Sequence, residues 1–224
     1  LPTDHPLGSK RALIDTDYFE TYNRENVELV DIRHSPIQQI TPTGIKTEDE
    51  EFEFDMIVFA TGFDAMTGSF HKMDIRGRNN VSLKDKWIEG PKTYLGLQVA
   101  EFPNMFMITG PGSPSVLSNM TVAIEQHQDW IRDFIDYMDK HDIQVSEAEP
   151  QAQEDWVDHV NTLAESTMFM LADSWYLGAN IPGKPRVFMP YVGGIGTYRT
   201  KCNEVAENGY EGFALTSKDR QLTA

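Results

Sequence analysis

At 224 residues and 40% hydrophobic content, the chain is long enough to bury a sizeable core, as one large domain or as parts of two. Its 19 basic against 35 acidic residues, a formal charge of −16, argue against nucleic-acid backbones or anionic lipid as the main partner, since both reward clustered Lys and Arg; a dinucleotide needs only a few local cations and stays open. The single cysteine, Cys202, excludes an internal disulfide framework and a multi-cysteine metal site.

No apolar run approaches the roughly 18 residues of a membrane span, and the opening residues lack a signal-peptide core, so a cytoplasmic protein is expected. The chain starts at Leu1 with a turn-like stretch carrying Pro2 and Pro6, which suggests a piece of a longer polypeptide. Residues 12–23 predict an apolar stub and a short helix that Asp15 or Thr16 caps. NVELVDI, 26–32, alternates as a strand does. A strand then runs to Ile40, a turn takes Thr41 to Gly44, a return strand takes Ile45 to Thr47, and an acidic loop leads to MIVFA, 56–60. That last run is apolar throughout, which suits a central parallel strand covered on both faces.

Residues 63–100 predict loops with short strands. A second buried strand is expected at FPNMFMITG, 102–110, ending in GPGSPS. A long amphipathic helix follows from near Leu117, with Met120, Ile124, Ile131, Phe134, Ile135 and Met138 on its apolar face. A second helix, from about Gln151 to Phe169, carries Trp156, Val160, Leu163 and Thr167 on one stripe. The tail is irregular, with a short helix at 198–208 and a closing strand at 213–216. No repeat or low-complexity tract interrupts this order.

Both predicted buried strands stop at a glycine turn, ATG and GPGSPS, and the carboxyl ends of parallel strands are where ligands sit. Glycine there lets the main chain approach a ligand, and the second turn runs into a helix start whose free N–H groups favour an electron-rich group. Plain connectors are the other reading of the same turns. GGIGTY, 193–198, lacks a sixth-position glycine and a preceding strand, so it fails the dinucleotide fingerprint and reads as a loop. The six histidines form no metal-ligand spacing; His127 and His159 read as packing or surface groups, and Cys202 as a buried structural thiol.

The combination PLGSKR (6–11), DMIVFATGFDA (55–65), KTYLGL (92–97), GPGSPSVLSNM (110–120), SWYLGANIPGKPRVFMPYVGG (174–194) and GYEGFALT (209–216) resembles the C-terminal portion of flavin-dependent Baeyer–Villiger monooxygenases, nearest the phenylacetone, steroid and cycloketone group. The resemblance covers essentially the whole chain in order and spacing. It implies an α/β fold made of the C-terminal portions of two dinucleotide-binding, Rossmann-like domains: 1–61 from an NADPH-binding domain and 62–224 from an FAD-binding domain, with long helices after the second buried strand. Ala60, Thr61 and Gly62 would then mark the crossover between the two, and Asp64 a structural turn acid.

The same resemblance implies an oxidoreductase that inserts one oxygen atom of molecular oxygen beside a ketone carbonyl, giving an ester or lactone through a flavin peroxide, with FAD and NADPH as cofactors. Arg11 matches the active-site arginine, a fixed cation for oxyanion charge. Lys10 matches the lysine that binds the NADPH 2′-phosphate. Read without the resemblance, Lys10 and Arg11 are an ordinary basic pair on a solvated loop. Thr61, Gly62, Gly112, Ser113 and Met120 would line the cofactors, and Trp175 would meet the nicotinamide-side ribose. Ser115, Val116 and Leu117 would line the substrate pocket, while Tyr176 and Arg186 would be structural or order on cofactor binding.

The phosphate-binding fingerprints for FAD and NADPH are not in these 224 residues. A missing N-terminal half of the same enzyme is therefore the expected partner, beside the ketone and oxygen. Two other readings stand: a flavin monooxygenase that oxidises nitrogen or sulfur nucleophiles, and a folded, non-catalytic fragment acting as a binding module. The arginine after PLGSK and the SWYLGANIPGKPR segment favour ketone chemistry.

Overall fold

The computed structural model describes residues 5–11 and 13–217; Pro2 of the predicted opening turn and Ala12 at the head of the predicted first helix lie outside them. The chain divides into two units, one made of the residues up to Arg11 with those from Phe63 onward, the other of Ala12–Gly62.

In the smaller unit, α1 (Tyr18–Thr21) is a single turn, and the Asp15 carboxylate accepts the Tyr18 N–H at 2.7 Å, which satisfies one of its free donors. Three short strands follow, β1 (Ile37–Ile40), β2 (Gly44–Thr47) and β3 (Glu51–Glu53), in one antiparallel sheet of order β1-β2-β3. Gly44 turns the chain between β1 and β2, and only a glycine fits, because a Cβ there would overlap the Phe52 carbonyl of β3.

The predicted hairpin is present, while the acidic stretch read as a loop holds β3. Residues 26–32 and 56–60 form no ladder. Leu29, Met56, Val58 and Phe59 are 70% exposed or more. An all-apolar strand needs strands on both sides to be buried, and the described residues of this unit supply none for MIVFA.

The larger unit opens with two single-turn helices, α2 (Gly68–His71) and α3 (Leu83–Lys86), the latter capped by Ser82 accepting the Asp85 N–H. Leu83 and Trp87 pack on Val99, Phe102 and Met107 in a small core. FPNMFMITG contributes Phe102 and Met107 to this core without forming a strand. Asn104, at φ 56°, turns the backbone out of the extended region, and its amide instead bonds the edge of β4 (Ile143–Ala148), accepting from Ser146 N–H and donating to the Gln144 carbonyl.

The main core forms where α4 (Met120–Lys140), α5 (Pro150–Glu165) and α6 (Ile195–Glu207) close on the β4–β5 pair. β5 (Phe213–Ser217) pairs antiparallel with β4, Val145 facing Thr216 and Ala148 facing Phe213. α4 starts three residues later than the sequence suggests: Ser115–Leu117 makes a separate 3-10 turn, and Asn119 caps α4 by accepting the Thr121 N–H. Its buried stripe is Ala123, His127, Trp130, Phe134 and Met138, while Ile135 and Met120 of the predicted face are exposed. α5 stops at Glu165 rather than Phe169 because Thr167 bonds back to the Ala164 carbonyl and caps the next turn through Phe169 N–H. Among the described residues no helix is long and apolar enough to cross a membrane.

Aromatic rings fill this core. Phe134 stacks on Tyr210 at 3.9 Å between centroids and meets Trp130, Phe106 and Phe213 edge-on. At its other end His127, fully buried, sits between two elements: Nδ1 accepts the Thr109 N–H at 2.8 Å, and Nε2 lies 2.9 Å from the Tyr198 hydroxyl, which donates to the Leu95 carbonyl at 2.6 Å.

Phe134→Ala should cost about 3 to 5 kcal/mol, read as a lower urea midpoint; a loss below ~1 kcal/mol contradicts the central place given to this ring. Burial lowers the His127 pKa from 6.5 to about 4, so as pH falls from 6.5 towards about 4 the unfolded chain takes up a proton that the folded ring resists. Up to about 3 kcal/mol of stability, fully present above that window, is lost through it. His127→Asn should therefore lose less stability than the parent between neutral pH and about pH 4, and equal losses contradict the assignment.

Candidate functional site

PLGSKR folds as a tight turn. Gly8 takes φ 85°, and Ser9, fully buried, returns both its N–H and its hydroxyl to the Pro6 carbonyl. This fixes the direction in which Lys10 and Arg11 leave the turn. Lys10 lines a groove of about 560 Å³ with Met170, Leu171, Ala172, Asp173, Leu177 and Arg186. Arg186 is held by Asp173 at 2.9 Å, yet its side chain stays about half exposed. Arg11 is exposed, and its charge opposes the upward shift that burial imposes on the Tyr176 phenol.

The groove is therefore built on residues 170–173 and on Leu177 of the SWYLG turn that follows them. Trp175 is half-buried and lies 4.5 Å from Tyr176 between ring centroids. Val116, Leu117, Trp175 and Phe169 pack around Ala164, Tyr176, Leu177 and Phe188 in one apolar cluster. The Ser174 hydroxyl beside Trp175 is buried without a partner. Orphaned buried polar atoms of this kind are costly and mark places where a ligand or water belongs. The structure thus brings Lys10, Arg11, Val116, Leu117 and Trp175 to one turn from widely separated parts of the chain.

The GPGSPS residues have a different character. Gly112 donates to the Met189 carbonyl at 2.6 Å, and its own carbonyl accepts the Trp156 indole at 3.1 Å. Ser113, fully buried, donates to the Gly110 carbonyl and accepts the Tyr191 N–H at 2.7 Å. Gly96 crosses so close that a Cβ on it would come within 2.7 Å of the Ser113 Cβ. Both residues are tied to the protein's own framework, so any part they take in binding comes from the outer face of the turn. Ser115 is buried with its hydroxyl 3.4 Å from the Met66 sulfur. Met120 is 37% exposed at the start of α4. Thr61 and Gly62, both exposed, belong to the other unit and are not among the residues gathered here.

Sequence reasoning read Asp64 as a structural turn acid but left out Lys184 and Asn180, which anchor that segment behind this turn. The Lys184 ammonium, its side chain only 9% exposed, pairs with Asp64 and also reaches the Ala65 carbonyl. The Asn180 amide donates to the Phe63 carbonyl at 3.0 Å. Together they bind the segment after ATG to the GANIPGKPR loop. A lysine between glycine and proline carries no periodic signal, which is why it went unmarked. The Cys202 thiol, pushed up to about 12 by burial, stays protonated and offers no nucleophile.

No family model matches the chain. A protein named Baeyer-Villiger monooxygenase from Pseudooceanicola batsensis is 45% identical over 223 residues, which is 99% of this chain and 40% of the relative. A phenazine N-monooxygenase from Lysobacter antibioticus is 41% identical over 224 residues, 100% of this chain and 41% of the relative. Among solved structures, an oxidized steroid monooxygenase bound to NADP is 52% identical with a TM-score of 0.87, over 96% of this chain and 40% of that one. A complex of OTEMO with FAD and NADP is 44% identical with a TM-score of 0.90, over the same shares. The mixed α/β arrangement of small sheets and long helices is the one found in those structures, and the chain spans about 40% of the length of the relatives it matches. Likeness in sequence and in fold along almost every residue places the chain in the Baeyer–Villiger monooxygenases.

Proposed function

We propose that this chain is the C-terminal portion of an FAD- and NADPH-dependent monooxygenase that converts ketones to esters or lactones. The observation that carries the reading is the meeting of Lys10, Arg11, Val116, Leu117 and Trp175 at the SWYLG turn. It is supported by relatives named for this chemistry and by neighbours solved with FAD and NADP. The finer fold reading, portions of an NADPH-binding and an FAD-binding Rossmann-like domain, belongs to the same proposal. The break between Gly62 and Phe63 supports the boundary, with the residues up to Arg11 grouped on the far side of it. The exposed, unpaired apolar run at 56–60 suits a strand whose neighbours come from the rest of the parent protein.

The residues present fit the cofactors in part. Two cations, Lys10 and Arg186, share a groove large enough for a nucleotide portion, and the buried Ser174 hydroxyl, next in the chain to Asp173 of its lining, has no partner. Bound FAD and NADPH would supply the reducing equivalents and the activation of oxygen. Lys10 acts as a compact charge for a phosphate, and Trp175 as an N–H donor on an apolar body. Arg11, exposed at the turn, presents a permanent guanidinium to negative charge that develops on the ketone oxygen. Val116 and Leu117 bound the apolar side where the ketone body rests, a contact worth only about 1 to 3 kcal/mol per methylene in substrate choice.

Oxidation of a nitrogen nucleophile is the second reading, favoured by the phenazine N-monooxygenase among the relatives. That reaction places less demand on a fixed cation. In the complete protein, Arg11→Ala should lower ester formation on the order of 10²- to 10³-fold while NADPH-driven flavin reduction keeps its rate. Unchanged ester formation would remove Arg11 from the chemistry. An N-oxide from an aromatic heterocycle, with no ester from any ketone, would establish the second reading instead.

A further inference from the structure

We infer that His127 is a positioning residue for the cofactor-side turn: its Nδ1 closes the neck of a loop that contains Gly112, Ser113, Ser115, Val116, Leu117 and Met120. The bond from Thr109 N–H to His127 Nδ1 spans 18 residues and measures 2.8 Å. Everything assigned to the turn and to the start of α4 lies between these two ends. The significance for cofactor binding rests on the function proposed above; the clamp itself rests on geometry alone.

Three observations carry it. First, Nδ1 accepts a backbone N–H, so the neutral ring holds its proton on Nε2 and donates it to the Tyr198 oxygen, while Tyr198 donates to the Leu95 carbonyl. The donors run in one direction, and every position on the imidazole is used. Second, the far end of that relay is Leu95, next to Gly96, which packs against Gly110 and Ser113. One buried imidazole therefore holds both sides of the turn, Thr109 directly and the Leu95–Gly96 crossing through Tyr198. Third, Thr109 sits at φ 55°, a region a β-branched residue seldom adopts, and such strain persists only where the surroundings enforce it. Protonation would require Nδ1 to give up the Thr109 bond, and burial opposes that, as the lowered pKa agrees.

The test separates the two ring nitrogens in the complete protein. Asparagine places an acceptor near the position of Nδ1 and loses the link to Tyr198, whereas glutamine reaches towards Tyr198 and abandons Thr109. His127→Asn should keep FAD affinity within about threefold of the parent and keep the Thr109 amide protected from hydrogen exchange. His127→Gln should weaken FAD binding roughly tenfold, the order of cost of a partly buried donor left unpaired, and should speed exchange across 105–115. Equal loss in both variants would reduce His127 to a core-filling ring and overturn the proposal, as would parental behaviour of the glutamine variant. If the glutamine variant does not fold, the asparagine variant alone decides, because a core-filling role predicts that it too loses FAD. A parent protein that binds no FAD would sink the proposed function, while the exchange of Thr109 would still judge the clamp.

Discussion

The larger unit depends on one contact set, the aromatic packing of α4 against the β4–β5 pair. Phe134 between Tyr210, Trp130 and Phe213 fixes the roll of α4. That roll points His127 at Thr109 and Tyr198, and the start of the helix follows from it. Burial of rings of this size supplies more free energy than any surface pair nearby. The exposed ion pairs, such as Lys92–Glu154 and Arg132–Asp129, decorate the outcome.

The candidate site is assembled on this base by few strong ties. Met189 and Tyr191 run beside the GPGSPS turn through two backbone bonds, and Trp156 of α5 bonds the same turn. The chain that leaves this framework folds back through Lys184 and Asn180 onto Phe63–Ala65. A lysine buried this deeply is costly to leave without its carboxylate partner, so this pair ties the segment after ATG to the larger unit. Lys10, Arg11 and Trp175 sit outside these ties, exposed or half-exposed. The buried framework and the proposed binding face are thus separate sets of residues.

Helices with an apolar period, the Thr41–Gly44 hairpin turn and the closing strand were legible because each is a local pattern. The stripe of α4 was misjudged where the polar His127, and Trp130 left off the predicted face, occupy core positions, and where Ile135 does not. MIVFA and FPNMFMITG read as strands on composition alone. Ladders need neighbours, and at Asn104 a single left-handed residue suffices to redirect the backbone. At the candidate site, the motifs singled out Lys10, Arg11 and Trp175, and the structure places them around the SWYLG turn. They gave no hint of Lys184–Asp64 or of the bond from Thr109 to His127, because long-range pairs leave no periodic trace. Gly112 and Ser113 were chosen for cofactor contact and prove to be bound chiefly to their own framework.

The central claim is that this chain supplies the cationic and aromatic face of a ketone-oxidising flavoprotein. The most direct measurement follows NADPH consumption by the complete protein with and without a cyclic ketone, with the product identified by mass. The account predicts a flavin spectrum in the purified protein and ketone-dependent NADPH consumption yielding a lactone one oxygen heavier. A colourless protein, or NADPH consumption that gives no oxygenated ketone product, would contradict it.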